Sequence, residues 1–240
     1  QFSSGNTDMF LIKIDVNGEV LWKKSYGNQA FPNHEWAYDV IETKNQDLIV
    51  VGSRDRYSEG GKNALIYRLD KSGILIWEKE IVDNNQISES IYSISEGIDG
   101  AYYLCTASNS TESFDIYQPK VIKMDGLGNI GWQRILPSNS KEYHQFRAVA
   151  TANGDVVVAG SSASVNSVYG YKENAFMTKI NNSGNIIWTY PYGSFDEDDW
   201  GWSVFEAPNS NLVLVGSTKS FGSSLFDILL VGTNSSGVSE

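Results

Sequence analysis

The stretch from Phe10 to Trp22 sets what this chain can fold into, because it comes back. It is an apolar run into Asp15, two further residues, Gly18, and a second apolar run carrying the tryptophan. Copies follow at Leu65 to Trp77, Val121 to Trp132 and Phe176 to Trp188, and a fifth, Ile228 to Glu240, stops before its tryptophan. The turn glycines Gly18, Gly73, Gly128, Gly184 and Gly237 are spaced by 55, 55, 56 and 53 residues. A fixed period of this size implies units that cannot each bury an apolar face alone and must stack on their neighbours.

Each period contains two hairpins. The first joins its strands through Asp or Asn, two residues and Gly, which fits a turn closed by a left-handed residue and a G1 bulge, with the Asp or Asn side chain capping the turn. The third copy, with Gly126 inside it, is expected to be widened. The second hairpin runs from Trp36 to Val51 across Thr43 to Asp47, with copies at Ser90 to Cys105, His144 to Ala159 and Trp200 to Val215. With strands a and b in this hairpin and c and d in the glycine-turn hairpin, the period holds four short strands. No stretch longer than a turn carries a helical apolar period without also reading as strand.

The fold class is therefore all-β, a β-propeller of four-stranded antiparallel blades repeating about every 55 residues. One domain over residues 1–240 is expected, with repeat phases of about 8–62, 63–117, 118–173 and 174–225 and a partial 226–240. The blade number is four or five. Phe226 to Val231 is too apolar to hang in solvent, which favours five with one incomplete.

Composition narrows the function classes. A net charge of −11 and a pI near 4.6 argue against nucleic acid and anionic membrane surfaces, which need basic patches. The one cysteine, Cys105, excludes an intrachain disulfide and a multi-cysteine metal site, and it falls at an apolar b-strand position where a buried, inert thiol is expected. No apolar run approaches a transmembrane segment and there is no signal peptide; a chain opening at Gln1 is consistent with removal of a targeting segment or earlier repeats.

Asp8, Phe10, Lys13, Asp15, Gly18, Tyr26, Gly27, Tyr38, Val40, Gly52 and Ser53 stand in the order of a repeat pattern, and Lys179, Gly184, Trp202, Val204, Gly216 and Ser217 stand so again. This resembles the secreted β-propeller repeats of bacterial and archaeal cell-surface proteins. Thr106 and Ala107 depart from it where Gly-Ser is expected. The resemblance implies propeller architecture and a secreted, cell-surface or periplasmic address, with no shared catalytic residues to carry over. A more distant likeness is to the tryptophan-docking repeats of quinoprotein dehydrogenases, although no cofactor-clamping cysteine pair is present.

The d–a connections (27–35, 82–89, 137–143, 193–199) and b–c connections (54–63, 107–118, 162–174, 218–225) read as long loops, and in a propeller both classes emerge on one face. Variable loops on a rigid scaffold commonly carry function. The d–a loops end in matching residues that form the candidate ligand site: His34, Glu35 and Trp36; Glu89; Glu142, Tyr143 and His144; Asp198, Asp199 and Trp200. Two readings stand side by side. The carboxylates hold a hard cation such as calcium, with Asp196, Asp198 and Asp199 as the candidate ligands, and the aromatics stack on a glycan; or the acids cap loop amides and the aromatics close the core. Trp22, Trp77, Trp132 and Trp188 are expected to pack between blades. No nucleophile-elbow, zinc-helix or phosphate-loop pattern occurs. The reading is a non-enzymatic binding module for a protein or glycan ligand, with a glycan hydrolase or lyase using channel-mouth carboxylates, or a structural spacer, as alternatives.

Overall fold

The computed structural model describes residues 7–27, 34–56, 61–82, 86–110, 113–137, 146–166, 170–194, 196–222 and 225–239. Among them there are strands and turns and no helix, so no helix is long and apolar enough to cross a membrane. The strands fall into five successive groups, here called blades. Blade 1 is β1 (Met9–Ile14) and β2 (Val20–Tyr26). Blade 2 is β3 (His34–Glu42), β4 (Leu48–Arg56), β5 (Gly61–Leu69) and β6 (Leu75–Ile81). Blade 3 is β7 (Gln86–Glu96), β8 (Tyr102–Ser110), β9 (Ser113–Met124) and β10 (Ile130–Ile135). Blade 4 is β11 (Arg147–Ala150), β12 (Val156–Asn166), β13 (Gly170–Ile180) and β14 (Ile186–Tyr192). Blade 5 is β15 (Asp199–Glu206), β16 (Leu212–Thr218) and β17 (Asp227–Thr233). Strands adjacent in sequence within a blade pair side by side, and a single parallel bridge, Lys62 to Ser88, also links β5 to β7. β17 pairs with β16 over its whole length, so the apolar segment after Phe226 belongs to a fifth blade. The chain divides into two compact units, residues 1–91 and 92–240.

The turns follow from their residues. In every c–d turn the glycine amide donates to the carbonyl of the opening Asp or Asn at 2.9–3.1 Å. All five glycines sit at positive φ, between 72° and 86°, where a β-carbon would be strained. The Asp15 and Asp125 carboxylates each accept two backbone amides; these bonds hold Asp15 below the usual carboxylate range, and the Asn129 side-chain amide together with the backbone amides does the same for Asp125. The third turn is not widened: Asp125 and Gly128 make the same bonds as the others, because Gly126 occupies an ordinary turn position. The a–b turns repeat the geometry, with Gln46 and Ser210 at φ 66° and 64° where two other copies have glycine.

The b–c connections differ from expectation. They are mostly β-ladder: β12 and β13 pair out to Asn166 and Gly170, β8 and β9 out to Ser110 and Ser113, and β4 and β5 out to Arg56 and Gly61. These segments lack the apolar alternation that marks a half-buried strand, but backbone pairing needs only an uninterrupted donor and acceptor register, and no proline lies where a ladder bond is required.

Blades join face to face. In the first unit Met9, Leu11, Trp22 and Tyr26, on the forward face of blade 1, pack on Leu48, Val50, Leu65, Tyr67 and Leu69 on the rear face of blade 2. In the second, Val157, Ala159, Ala175, Met177 and Tyr192 on the forward face of blade 4 pack on Val204, Leu212, Leu214 and Leu229 on the rear face of blade 5. Burial of each such side chain stabilises by about 1.5–3 kcal/mol.

A second element of the joint is the d-strand tryptophan, which lies against the next blade's turn glycine. A β-carbon at Gly73 would lie 3.0 Å from the Trp22 ring, one at Gly184 2.9 Å from Trp132, and one at Gly237 2.9 Å from Trp188. The glycine carbonyl then accepts a hydrogen bond from the same d strand: Gly73 from Tyr26 Oη at 2.8 Å, Gly184 from Arg134 Nε at 2.6 Å, Gly237 from Tyr192 Oη at 2.7 Å. Trp132 Nε1 adds a bond to the Asn182 carbonyl at 2.9 Å. The inter-blade packing expected of the repeated tryptophans is found at these three joints.

Candidate functional site

The candidate residues lie where the a strands begin. In β3 and β15 the strand opens with a polar residue, a buried carboxylate and a tryptophan, and a bulge follows opposite a glycine: Ala37 faces Gly52 and Gly201 faces Gly216, with the register shifting at the next residue. The carbonyls of Trp36 and Trp200 press on these glycines so closely that a β-carbon there would lie 1.7 and 1.8 Å away. The bulge re-aims the side chains at the start of the a strand.

In the first unit Glu35 is buried and is met by Arg54 from β4, also buried. Arg54 Nε donates to Glu35 Oε1 at 2.8 Å, one terminal nitrogen donates to Glu78 and Glu80 at 2.5 Å each, and the other donates to the Tyr67 hydroxyl at 2.8 Å. Glu80 also accepts from Asn63 at 3.0 Å. Burial alone would lower the Arg54 pKa, but the bonds to Glu78 and Glu80 and the Glu78 charge outweigh it and hold the guanidinium above its ordinary value. Burial pushes the Tyr67 hydroxyl up, helped by Glu78 and Glu35 and opposed by Arg54. His34 Nδ1 accepts the Thr7 amide at 2.9 Å, and its ring lies 5.7 Å from Trp36, which carries Lys62 Nζ 4.4 Å above its own ring. Glu89 is buried within β7.

In the second unit Asp199 is fully buried. Its two oxygens accept hydrogen bonds from the hydroxyls of Thr218 and Ser220 and from the Ser194 amide, the last at 2.9 Å. It pins the segment before β15 to the one after β16. Asp198 pairs with Lys219 at 3.0 Å and accepts the Glu173 amide at 3.2 Å. Burial would raise its pKa; Lys219 and the amide outweigh that and hold it below the usual carboxylate range. Asp196 is exposed and bonded to the Ser194 hydroxyl. Lys219 also lies 4.4 Å over Phe226, which stacks on Trp200 at 4.4 Å. Beside them Trp202, the bulged residue, is partly exposed with its indole nitrogen donating to Ser217 at 2.8 Å.

Among the described residues no three His, Cys, Asp or Glu side chains are gathered where they could hold a metal ion, so Asp196, Asp198 and Asp199 are not brought together as a cation cage. Glu142, Tyr143 and His144 lie outside the described residues. Sequence reasoning singled out Glu35 and Asp199 without the partners that decide their chemistry: Arg54, Tyr67, Glu78 and Glu80 for the first, Thr218 and Ser220 for the second. Cys105 is buried and its thiol is pushed far up by burial, as its apolar strand position implies.

The role of Asp199 is open to direct measurement. Asp199→Ala should cost about 2–3 kcal/mol, because two hydroxyls and an amide lose a buried acceptor, and hydrogen exchange should quicken at Ser194 and Ser220 ahead of the β15–β16 ladder.

No family model matches the chain, and no curated protein matches it in sequence. Solved structures do resemble it. A protein of unknown function from Dyadobacter fermentans is 11% identical, over 85% of this chain and 67% of that one, with a TM-score of 0.57. The NanB sialidase of Streptococcus pneumoniae is 14% identical, over 91% of this chain and 34% of that one, with a TM-score of 0.55. A levansucrase of B. megaterium is 8% identical, over 94% and 73%, with a TM-score of 0.52. The chain thus spans about a third of the sialidase's length. At such identities the likeness is one of fold, and with the strand pairing above it makes this an all-β propeller built from four-stranded antiparallel blades.

Proposed function

We propose that the chain is a non-enzymatic binding module, secreted or displayed at a cell surface, that takes a protein or glycan ligand at the mouth ends of its a strands. One observation carries this: three of the carboxylates there, Glu35, Asp198 and Asp199, are already committed. Glu35 is spent on Arg54, Asp198 on Lys219, and Asp199 on two hydroxyls and an amide. A glycoside hydrolase needs one carboxyl that gives up a proton and a second that attacks or activates water, about 5–10 Å apart across a cleft. Carboxylates held in buried hydrogen bonds are poor candidates for either task. What these ends offer solvent is aromatic surface edged with lysine, with Trp202, Phe226 and Lys219 in the second unit, and such surface suits stacking and hydrogen bonding.

A second reading, a glycan-active hydrolase or lyase, is favoured by the fold likeness to a sialidase and a levansucrase. A glycan array read together with a product assay separates the two. The expected result is retention of a ligand without turnover, weakened roughly tenfold or more by Trp202→Ala, the cost of a typical aromatic anchor. Release of sugar product would overturn the binding reading, and a chain that retains no ligand of either class would leave a structural spacer.

A further inference from the structure

We propose that the turn end of blade 3 is a docking site for a partner protein, taking an extended segment that presents a bulky aliphatic side chain next to a lysine or arginine. This end of the blade lies away from the starts of the a strands. The repeat itself supplies the reference. At the residue before the c–d turn glycine the other copies carry Asn17, Ser72, Ser183 and Ser236, whereas blade 3 carries Leu127, 80% exposed. In the a–b turn the other copies have Lys44, Ala152 and Pro208, and blade 3 has Ile98, 61% exposed. Before the d-strand tryptophan the other copies have Leu21, Ile76 and Ile187, and blade 3 has Gly131. Blade 3 thus adds two aliphatic tips and removes a side chain at the start of β10.

The missing side chain leaves space. An open groove of about 330 Å³ runs from Ala101, after the a–b turn, to the c–d hairpin, where Met124, Asp125, Asn129, Ile130 and Gly131 line it beside Lys123. It has the size of a small ligand cleft. A β-carbon at Gly131 would have one neighbour within 4 Å, the Lys123 carbonyl at 3.6 Å. Single exposed apolar residues are ordinary on a protein surface. Here Leu127 and Ile130 belong to the hairpin that forms the groove and Ile98 to the turn that leads into Ala101, and such a grouping marks an association surface. Charge identifies the occupant. Lys123 is already neutralised: it donates to Asp99 at 2.8 Å and to the Asn182 side-chain carbonyl, and lies 5.5 Å over the Tyr103 ring. Asp125 has no cationic partner among the described residues; its carboxylate accepts the Leu127 and Asn129 amides and the Asn129 side chain, which keep it ionised. The groove therefore sets one uncompensated negative charge beside apolar walls, and its complement is a cation beside an aliphatic side chain. β10 is an outermost strand of its sheet, so a segment can lie along it in extended form.

The probes are three synthetic peptides, acetyl-Gly-Leu-Lys-Gly-amide and its Leu-Glu and Ser-Lys counterparts, titrated into the isotope-labelled full chain and followed by amide NMR. The Leu-Lys peptide should shift the amides of Asn129, Ile130 and Gly131 to saturation. The Leu-Glu peptide should bind about threefold more weakly, the worth of an exposed ion pair, and that gap should close in high salt. The Ser-Lys peptide should not saturate. Gly131→Ile, which gives blade 3 the residue of blades 2 and 4, should abolish binding, and Leu127→Ser, which copies three other turns, should weaken it about tenfold. Asp125→Asn, which copies Asn181 and Asn234, should bind the Leu-Lys and Leu-Glu peptides alike. Each variant carries a residue the repeat already uses at that position, so an unchanged melting midpoint is expected of all three. No saturable shift with the Leu-Lys peptide overturns the proposal. So does equal affinity of the unmodified chain for the Leu-Lys and Leu-Glu peptides at low salt, or binding that Gly131→Ile and Leu127→Ser both leave intact. Co-sedimentation with phosphatidylcholine vesicles in place of peptide binding would assign the aliphatic tips to a lipid surface and likewise overturn it.

Discussion

Arg54→Ala should destabilise the first unit by about 3–5 kcal/mol, the cost of stranding a buried charge whose partner has been removed. The substitution takes one cation away from three carboxylates. Glu35 is 1% exposed, and Glu78 and Glu80 converge on the same guanidinium. Without it they repel one another, and desolvation favours protonation. The defect should accordingly be mildest at acid pH and deepen as pH rises through the carboxylate range. Urea denaturation at several pH values, followed by near-ultraviolet circular dichroism, reads both effects. Exchanging Arg54 and Glu35 together for methionine should recover only the part of the loss due to Glu35, since Glu78 and Glu80 still converge without a cation. A loss below about 1 kcal/mol for Arg54→Ala, the range of solvated pairs, would mean that water reaches the cluster.

Trp132→Ala should cost about 3–5 kcal/mol, as large aromatic truncations do. It would also change the form of unfolding. The ring covers Gly184 and its nitrogen is bonded to the Asn182 carbonyl, so one side chain supplies both the packing and a directed bond between blades 3 and 4. In a repeat array stability is the sum of unit terms and neighbour terms. Removing a neighbour term should broaden the denaturation transition and separate exchange protection in β8–β10 from that in β12–β14. Trp132→Phe keeps the ring and loses the bond, and a cost nearer 1 kcal/mol is expected. Equal costs for the two substitutions would show that the nitrogen, not the ring, makes the joint.

What could be read from the residues was whatever repeats. The turn glycines, the opening Asp or Asn and the d-strand tryptophans recur at a fixed interval, and each has one physical use, so turn type, strand order and the inter-blade joint were all legible. Features made by one copy alone were not. Arg54 stands just past Gly52-Ser53 and reads as the start of a loop. Its partners lie 24 and 26 residues on, at Glu78 and Glu80, and only the pairing of β4 with β5 and β5 with β6 brings them to it. Asp199 reads as part of an acidic run, whereas the register of β15 against β16 sets it beside Thr218. The polar ends of β8, β12 and β13 carry no apolar period, since their pairing rests on backbone groups that composition does not reveal.

The joint between blades is asymmetric in a way that bears on how such a chain comes to exist. At the three described joints the donating side varies: a tyrosine and a lysine from blade 1, an arginine from blade 3, and a tyrosine again from blade 4. On the receiving side each of these three joints uses the main-chain carbonyl of the turn glycine, a side-chain-free position. A receptor made of backbone is supplied whole by any copy that keeps its turn. Gene duplication therefore yields a blade that fits its neighbour at birth, and drift in the donor strand is tolerated so long as one hydrogen-bond donor and one flat ring survive. Arrays of this kind can lengthen, shorten and diverge in their loops without renegotiating the seams.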